Sequence, residues 1–387
     1  MKTHHKIIFE NAVNINAMAP ESVDLMVTSP PYPMIEMWDE MFARKNVPVK
    51  KALESGDGAK AFERMHQVLD PVWREVYRVL KSGGFACINI GDATRTINGN
   101  FMLYPNHMRI LRKALALGFS ALPCILWRKQ TNAPNKFMGS GMLPAGAYVT
   151  LEHEYILILR KGPKREFKKE KDKRLRRESA IFWEERNSWF SDVWFDVKGT
   201  LQALNDKDAR LRSAAYPFEV VYRLINMYSA KGDTVLDPFL GTGTTTAAAI
   251  TSGRNSIGYE LDPALGNAIE RIREVIIDSS KQVISRRLAK HIEFVVHRLK
   301  TKGGFKYNNE QYGFPVMTSQ ERDLIFNDPL NIMQPEKNNF EVEYSDKPQP
   351  EFCKNWPAEL QEHNLDAVAQ NLHHAVSKKN SDQMKLF

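Results

Sequence analysis

Apolar positions in the first 160 residues fall into short runs separated by turn-forming residues. Lys6-Ile7-Ile8-Phe9 reads as a strand, and Ser22-Val23-Asp24-Leu25-Met26-Val27-Thr28 as another. The second run stops at Ser29-Pro30-Pro31-Tyr32, because paired prolines cannot continue a central strand. Residues 33–58 hold Pro48, Gly56 and Gly58 and read as a loop. From Phe62 to Leu80 apolar side chains recur at helical spacing until Ser82-Gly83-Gly84. A buried strand over 85–90, a helix over 106–117 closed by Gly118, and strands over 121–127 and 155–159 follow.

Regular alternation then stops. Arg160 to Arg177 carries eleven Lys and Arg against three acidic residues, and Trp183, Trp189, Phe190, Trp194 and Phe195 follow closely. The pattern resumes with a helix over 218–228, a strand at Thr234-Val235-Leu236, a helix over 244–251, a strand at Ser256-Ile257-Gly258-Tyr259 and a helix over 263–277. Some helix is expected near 281–300, and the polar tail after Phe326 reads as partly disordered. Strands alternating with helices imply an α/β fold, a twisted and mostly parallel sheet with helices on both faces. Four stretches are distinguished: 1–160, 161–212, 213–277, and a C-terminal extension over 278–387.

Composition narrows the partners. The chain has 387 residues, 43% apolar and 26% charged, which suits an ordinary globular core. A net charge of +8 favours an anionic partner, nucleic acid first. Cys87, Cys124 and Cys353 are far apart, with neither metal-binding spacing nor a disulfide framework, which suits a reducing cytoplasm. No apolar stretch is long enough to span a membrane, and no signal peptide is visible.

Three motifs carry chemistry. Asp237-Pro238-Phe239-Leu240-Gly241-Thr242-Gly243-Thr244-Thr245 joins a short strand to a helix. Its glycines permit close backbone approach, and the helix start offers free N–H groups. It lacks the lysine of a phosphate-binding loop, and Thr246 occupies the third glycine position of a dinucleotide fingerprint. A packing turn would serve equally for the bare glycine pair. Glu260, 17 residues beyond Gly243 at the end of the next strand, changes that balance, since an acid there accepts hydrogen bonds from ribose hydroxyls. The third motif is Ser29-Pro30-Pro31-Tyr32. An exocyclic amino nitrogen is a poor nucleophile because its lone pair is delocalised into the ring. Two acceptors, the Ser29 hydroxyl and the Pro30 carbonyl, would draw it out, and Tyr32 would stack on an extruded base.

Ser-Pro-Pro-Tyr upstream and Asp-Pro-Phe-x-Gly-x-Gly-Thr-Thr downstream resemble the DNA amino-methyltransferases of restriction–modification type, in the order of their β class. Tyr77 to Gly84, Trp127-Arg128-Lys129, Glu152-His153-Glu154-Tyr155, Tyr216-Pro217-Phe218 and Ile257 to Glu260 carry the resemblance on, over roughly residues 5–275. It implies a seven-stranded sheet with one antiparallel strand. It also implies S-adenosylmethionine as cofactor, S-adenosylhomocysteine as product, and no metal. Asp237, Phe239, Gly241, Gly243, Thr244 and Thr245 would line the cofactor site, Glu260 would hold the ribose, and Asn11 would stand where relatives carry an acid near the adenine. Ala215-Tyr216 departs from the common His-Pro before the second half.

The family habit of Ser before Pro-Pro-Tyr favours N4 of a flipped-out cytosine in double-stranded DNA, with N6 of adenine as the alternative. An RNA or small-molecule methyltransferase, and an inactive nucleic-acid-binding protein on the same scaffold, are more distant readings. The basic run, with Lys164, Arg165, Lys168, Lys169, Arg174, Arg176 and Arg177, falls where the β class often carries its target-recognition region, and is expected to contact DNA. Together with the C-terminal extension it would form a cleft opposite the sheet. Met37 and Trp38 would lie near the flipped base. A cognate restriction endonuclease is implied by family habit alone.

Overall fold

The computed structural model describes residues 1–15, 18–44, 46–129, 138–198 and 216–361, with Leu365 and Val368. Ten strands form one sheet: β1 (Lys2–Ile8), β2 (Val23–Thr28), β3 (Leu80–Ile90), β4 (Phe119–Arg128), β5 (His153–Lys161), β6 (Val193–Trp194), β7 (Thr234–Asp237), β8 (Asn255–Tyr259), β9 (Pro329–Glu336) and β10 (Asn339–Tyr344). Their order is β6-β4-β5-β3-β2-β7-β8-β1-β10-β9. The seven from β4 to β1 match the expected sheet. β5 runs antiparallel to both neighbours, and the other six run one way.

The principal helices are α1 (Gly58–Val79), α2 (Asn106–Leu117), α3 (Glu170–Glu178), α4 (Trp183–Trp189), α5 (Phe218–Tyr228), α6 (Thr244–Thr251) and α7 (Ile272–Thr301). Strand β2 is buried along its whole length, as a central strand covered on both faces must be. Leu25 and Val27 belong to the core under α5 and α6, whereas Met26 belongs to the core under α1 and α2. The chain leaves β2 toward β3 in one direction and leaves β7 toward β8 in the other. Because β2 and β7 are neighbours, the sheet has its switch point between them, and a crevice lies outside their C-terminal ends.

Expectations for three stretches are corrected. Residues 33–58 are not an open loop: they form a short 3-10 turn and helices over Asp39–Arg44 and Val47–Glu54, anchored by buried Phe42, Val49 and Ala52. The division at 277/278 falls inside α7, whose second half carries a separate core with Phe182, Tyr312, Phe314 and Trp356. After Phe326 the described chain carries regular structure: β9 and β10 form a hairpin, and β10 pairs antiparallel with β1. Alternation along Asn339–Tyr344 buries Phe340, Val342 and Tyr344 on one face. Within the C-terminal extension, residues 329–344 therefore lengthen the sheet. Residues 199–212 of the expected recognition region lie outside the described residues. Among the described residues, no helix is long and apolar enough to cross a membrane.

Candidate active site

The two motifs meet at one carboxyl group. Thr28, the last residue of β2, donates its hydroxyl to Asp237 Oδ1 at 2.6 Å, although 209 positions separate them. Asp237 ends β7 and also accepts the Thr245 hydroxyl at 2.5 Å and the Phe239 N–H at 3.0 Å. Burial pushes its carboxyl group up to about 6. Asp237 and Thr245 are thus turned inward: they tie the Gly-rich loop to the strand that delivers Ser29. Tyr216 hydrogen-bonds Thr245 Oγ1 at 3.1 Å, so this departure from His-Pro still packs on the loop.

Gly241 and Gly243 have φ of +58° and +91°, left-handed values that glycine adopts freely. A Cβ added to Gly241 would meet nothing within 4 Å, so the loop borders open space there. Glu260 follows β8. One carboxylate oxygen accepts the Gly241 N–H and the other the Asp262 N–H, both at 2.8 Å. Burial raises its pKa, while these two bonds oppose the rise. Each oxygen keeps a lone pair, so an acid set beside an open glycine turn suits the two ribose hydroxyls of a nucleoside. Thr244 is buried at the start of α6, and Phe239 packs edge-on to Trp73 with ring centroids 5.9 Å apart. Asn11 is exposed beyond β1, on the same end of the sheet as Glu260, whose N–H bonds the Ile8 carbonyl at 2.9 Å. Its side chain accepts the Val13 N–H at 3.1 Å.

At the other motif, Pro30 and Pro31 are buried, and Ser29 and Tyr32 are half-buried. The Tyr32 hydroxyl lies 3.0 Å from Ser29 Oγ, donates to Glu154 Oε2 at 2.9 Å and accepts from Asn89 Nδ2 at 2.8 Å. Asn89 Nδ2 also donates to Glu154 Oε2 at 2.7 Å, and Lys129 Nζ holds Glu154 Oε1 at 2.9 Å. The Tyr32 ring lies so close to Gly91 that a Cβ there would sit 3.0 Å from it. Sequence reasoning missed Asn89, Glu154 and Lys129 as site residues. The signal was present: Glu154 and Lys129 lie in two of the family-like segments, but nothing in the sequence said that β3, β4 and β5 meet around Tyr32.

The basic run is elsewhere. Its Arg165 pairs with Asp233 at 2.6 Å and with Asp24 at 3.5 Å, residues flanking the starts of β7 and β2. Those starts lie at the opposite end of the sheet from Ser29. The cause is the direction of β5: it begins beside the site at His153 and carries the chain away over nine residues, roughly 25 Å. Lys164, Lys168 and Lys169 are exposed at that far end. Arg174 pairs with Glu178, Arg177 with Asp323, and Arg176 lies over Phe167. Of the aromatics that follow the run, Trp189 and Trp194 are buried, whereas Trp183, Phe190 and Phe195 are exposed. The run therefore lies at the end of the sheet opposite Ser29. A triple Lys164→Gln, Lys168→Gln, Lys169→Gln variant is expected to bind duplex DNA within about threefold of wild type at about 0.15 M salt, since screening acts over about 8 Å. Fluorescence anisotropy titration checks this, and a tenfold loss would return DNA to that end.

Comparison with known proteins agrees with this architecture. The family described as DNA methylase, of N6/N4 type, matches residues 23–271. The type II methyltransferase M.MthZI of Methanothermobacter thermautotrophicus is 53% identical over 348 residues, covering 89% of this chain and 96% of that protein. M.MjaI of Methanocaldococcus jannaschii is 54% identical over 279 residues, 69% of this chain and 90% of its own. A Thermus thermophilus protein, TTHA0409, solved with S-adenosyl-L-methionine, shares 30% identity and a TM-score of 0.54 over 71% of this chain and 93% of its own. With the Ser-Pro-Pro-Tyr strand preceding the cofactor strand, this chain belongs to the DNA methylase family as an S-adenosylmethionine-dependent amino-methyltransferase of the β class and of restriction–modification type.

Proposed function

We propose that this enzyme methylates the exocyclic N4 of a cytosine flipped out of duplex DNA, as the modification partner of a restriction endonuclease. The observation that carries the reading is the 2.6 Å bond from Thr28 to Asp237, which sets the Ser29–Tyr32 turn beside the cofactor turn. S-Adenosylmethionine, when bound, supplies an activated methyl group on a sulfonium. Glu260 and the Gly241–Gly243 turn hold its nucleoside part, and Asp237 and Thr245 keep that turn in place. The chain's other task is to prepare a poor nucleophile and to position it. Ser29 Oγ and the Pro30 carbonyl accept the two amino hydrogens. Tyr32 offers its ring to the extruded base, at the unstacking cost inherent in base flipping.

DNA approaches from the C-terminal ends of the parallel strands. That end carries a hairpin of Ala93–Ile97 with Asn100–Tyr104, and a second of Met138–Gly139 with Ala147–Tyr148. Phe101 stacks on Tyr148 between them at 4.4 Å, and Arg128 and Lys129 are exposed nearby. Ser before Pro-Pro-Tyr favours cytosine by its resemblance to family members that act there.

Incubation with S-adenosylmethionine and unmethylated genomic DNA, followed by nucleoside mass spectrometry, tests the reading. N4-methylcytosine is expected. N6-methyladenine would overturn the choice of base, and neither product, with cofactor still bound, would overturn DNA amino methylation.

A further inference from the structure

The methylated amino nitrogen must lose a proton, and the hydrogen bonds around Tyr32 have a direction. The Tyr32 hydroxyl has one hydrogen, and it is given to Glu154 Oε2 at 2.9 Å. In the 3.0 Å contact between Ser29 Oγ and the Tyr32 hydroxyl, the tyrosine oxygen must therefore accept and Ser29 must donate. Asn89 Nδ2 approaches Ser29 Oγ only at 3.5 Å, against 2.7 Å to Glu154, so Ser29 Oγ keeps a lone pair for an amino N–H. Every bond in the chain from Ser29 through Tyr32 to Glu154 thus points the same way, and the chain ends on a carboxylate.

Resting on the amino-methylation reading above, we propose that Ser29, Tyr32 and Glu154 form a proton relay, with Glu154 as the terminal acceptor for the proton shed by the target amino group. As the N–C bond to the methyl group forms and the S–C bond breaks, the nitrogen passes one proton to Ser29 Oγ. Ser29 passes its own to the Tyr32 oxygen, and Tyr32 passes its own to Glu154 Oε2. The base leaves neutral, the former sulfonium is a neutral thioether, and the added proton rests on Glu154. Both hydroxyls end the step as they began it.

The surroundings fit an acceptor at that position. Glu154 is only 8% exposed, so a proton reaches it through its hydrogen-bonded neighbours and not directly from bulk water. Lys129 Nζ holds Oε1 at 2.9 Å, and its half-exposed side chain links the carboxylate to solvent, where the proton is finally discharged. Asn89 donates to both Tyr32 and Glu154, which keeps the tyrosine hydrogen from turning elsewhere. The tyrosine remains protonated throughout, because burial and the adjacent Glu154 raise its pKa well above its ordinary value. It acts as a conduit and never as a phenolate. Glu154 does not touch the base; it accepts through two hydroxyls.

The test is single-turnover methyl transfer by Glu154→Gln between about pH 5.5 and 9, alongside wild type, with cofactor affinity measured by calorimetry to show an intact fold. Wild type, which carries its own acceptor, is expected to show a much weaker rise of rate with pH than the variant. Glu154→Gln is expected to be roughly 100-fold slower at pH 7, within the usual range for general-base catalysis. Its rate should also rise with pH across the range, as solvent hydroxide replaces the missing acceptor. Formate is expected to restore part of the rate of Glu154→Ala. A Gln variant within threefold of wild type overturns the relay, as does a slow variant whose pH profile keeps the wild-type shape, which would mark a purely positioning role. Either failure leaves a wild-type enzyme that still methylates DNA. Failure of the functional reading itself would show as no methylated base from wild type.

Discussion

Ser29→Ala is expected to lower single-turnover methyl transfer by about 100-fold or more while leaving S-adenosylmethionine affinity within twofold. Its hydroxyl stands at the start of the hydrogen-bonded chain through Tyr32 to Glu154. Without it the amino group keeps one acceptor, the Pro30 carbonyl, and the lone pair stays largely in the ring. Loss of one placed polar group of this kind typically costs roughly 10²–10³ in rate. Cofactor binding should survive because the tie between the halves is made by Thr28 and Asp237, which the substitution leaves intact. Rapid-quench transfer with labelled cofactor, paired with calorimetry, reads both quantities. Near-normal transfer would remove Ser29 from the chemistry.

Glu260→Ala should do the converse. It removes the acceptor proposed for the ribose and leaves the N–H groups of Gly241 and Asp262 without the carboxylate they bond at 2.8 Å. Hydrogen bonds to a charged group are worth roughly 1.5–3 kcal/mol each, so cofactor affinity is expected to fall about 100-fold, equivalent to about 2.7 kcal/mol. At saturating cofactor the transfer step should remain within a fewfold of wild type, because nothing around Ser29 or Tyr32 has moved. Calorimetric titration and saturating single-turnover rates separate the two effects. Unchanged affinity would mean that Glu260 serves only to brace the loop.

These two residues were legible in the sequence because each motif is local: a proline turn closing a strand, and a glycine turn with an acid one strand further on. The seven-stranded sheet was legible as resemblance. Only the pairing pattern establishes that β5 is the reversed strand. That reversal decides where the basic run lies. A cationic run beside a catalytic segment looks like a DNA contact, but a strand that runs backward delivers its C-terminal end to the far side of the sheet. Arg165 there meets Asp24 and Asp233. Glu154 was missed for the complementary reason. It begins the same reversed strand, and only the pairing of that strand with β3 brings it to Tyr32. The alternation of Phe340, Val342 and Tyr344 was readable, but the flanking polar residues masked it, and its partner strand β1 lies at the other end of the chain.

The adjacency of β2 and β7 has a consequence for the making of the enzyme. In that pairing Leu25 faces Val235 and Met26 faces Leu236, so each waits for a residue made far later. On a ribosome adding roughly 5–20 residues per second, β2 emerges many seconds before its partner strand. Through that interval a strand destined for full burial presents one bare edge, the kind of edge that invites pairing with another chain. Strand β1 waits longer still, since its outer neighbour ends at Tyr344. The site cannot be complete until the chain has passed β8 and Glu260, long after β2 has left the ribosome. Separation in sequence, which hides the site from a local reading, also keeps the nascent protein silent on DNA.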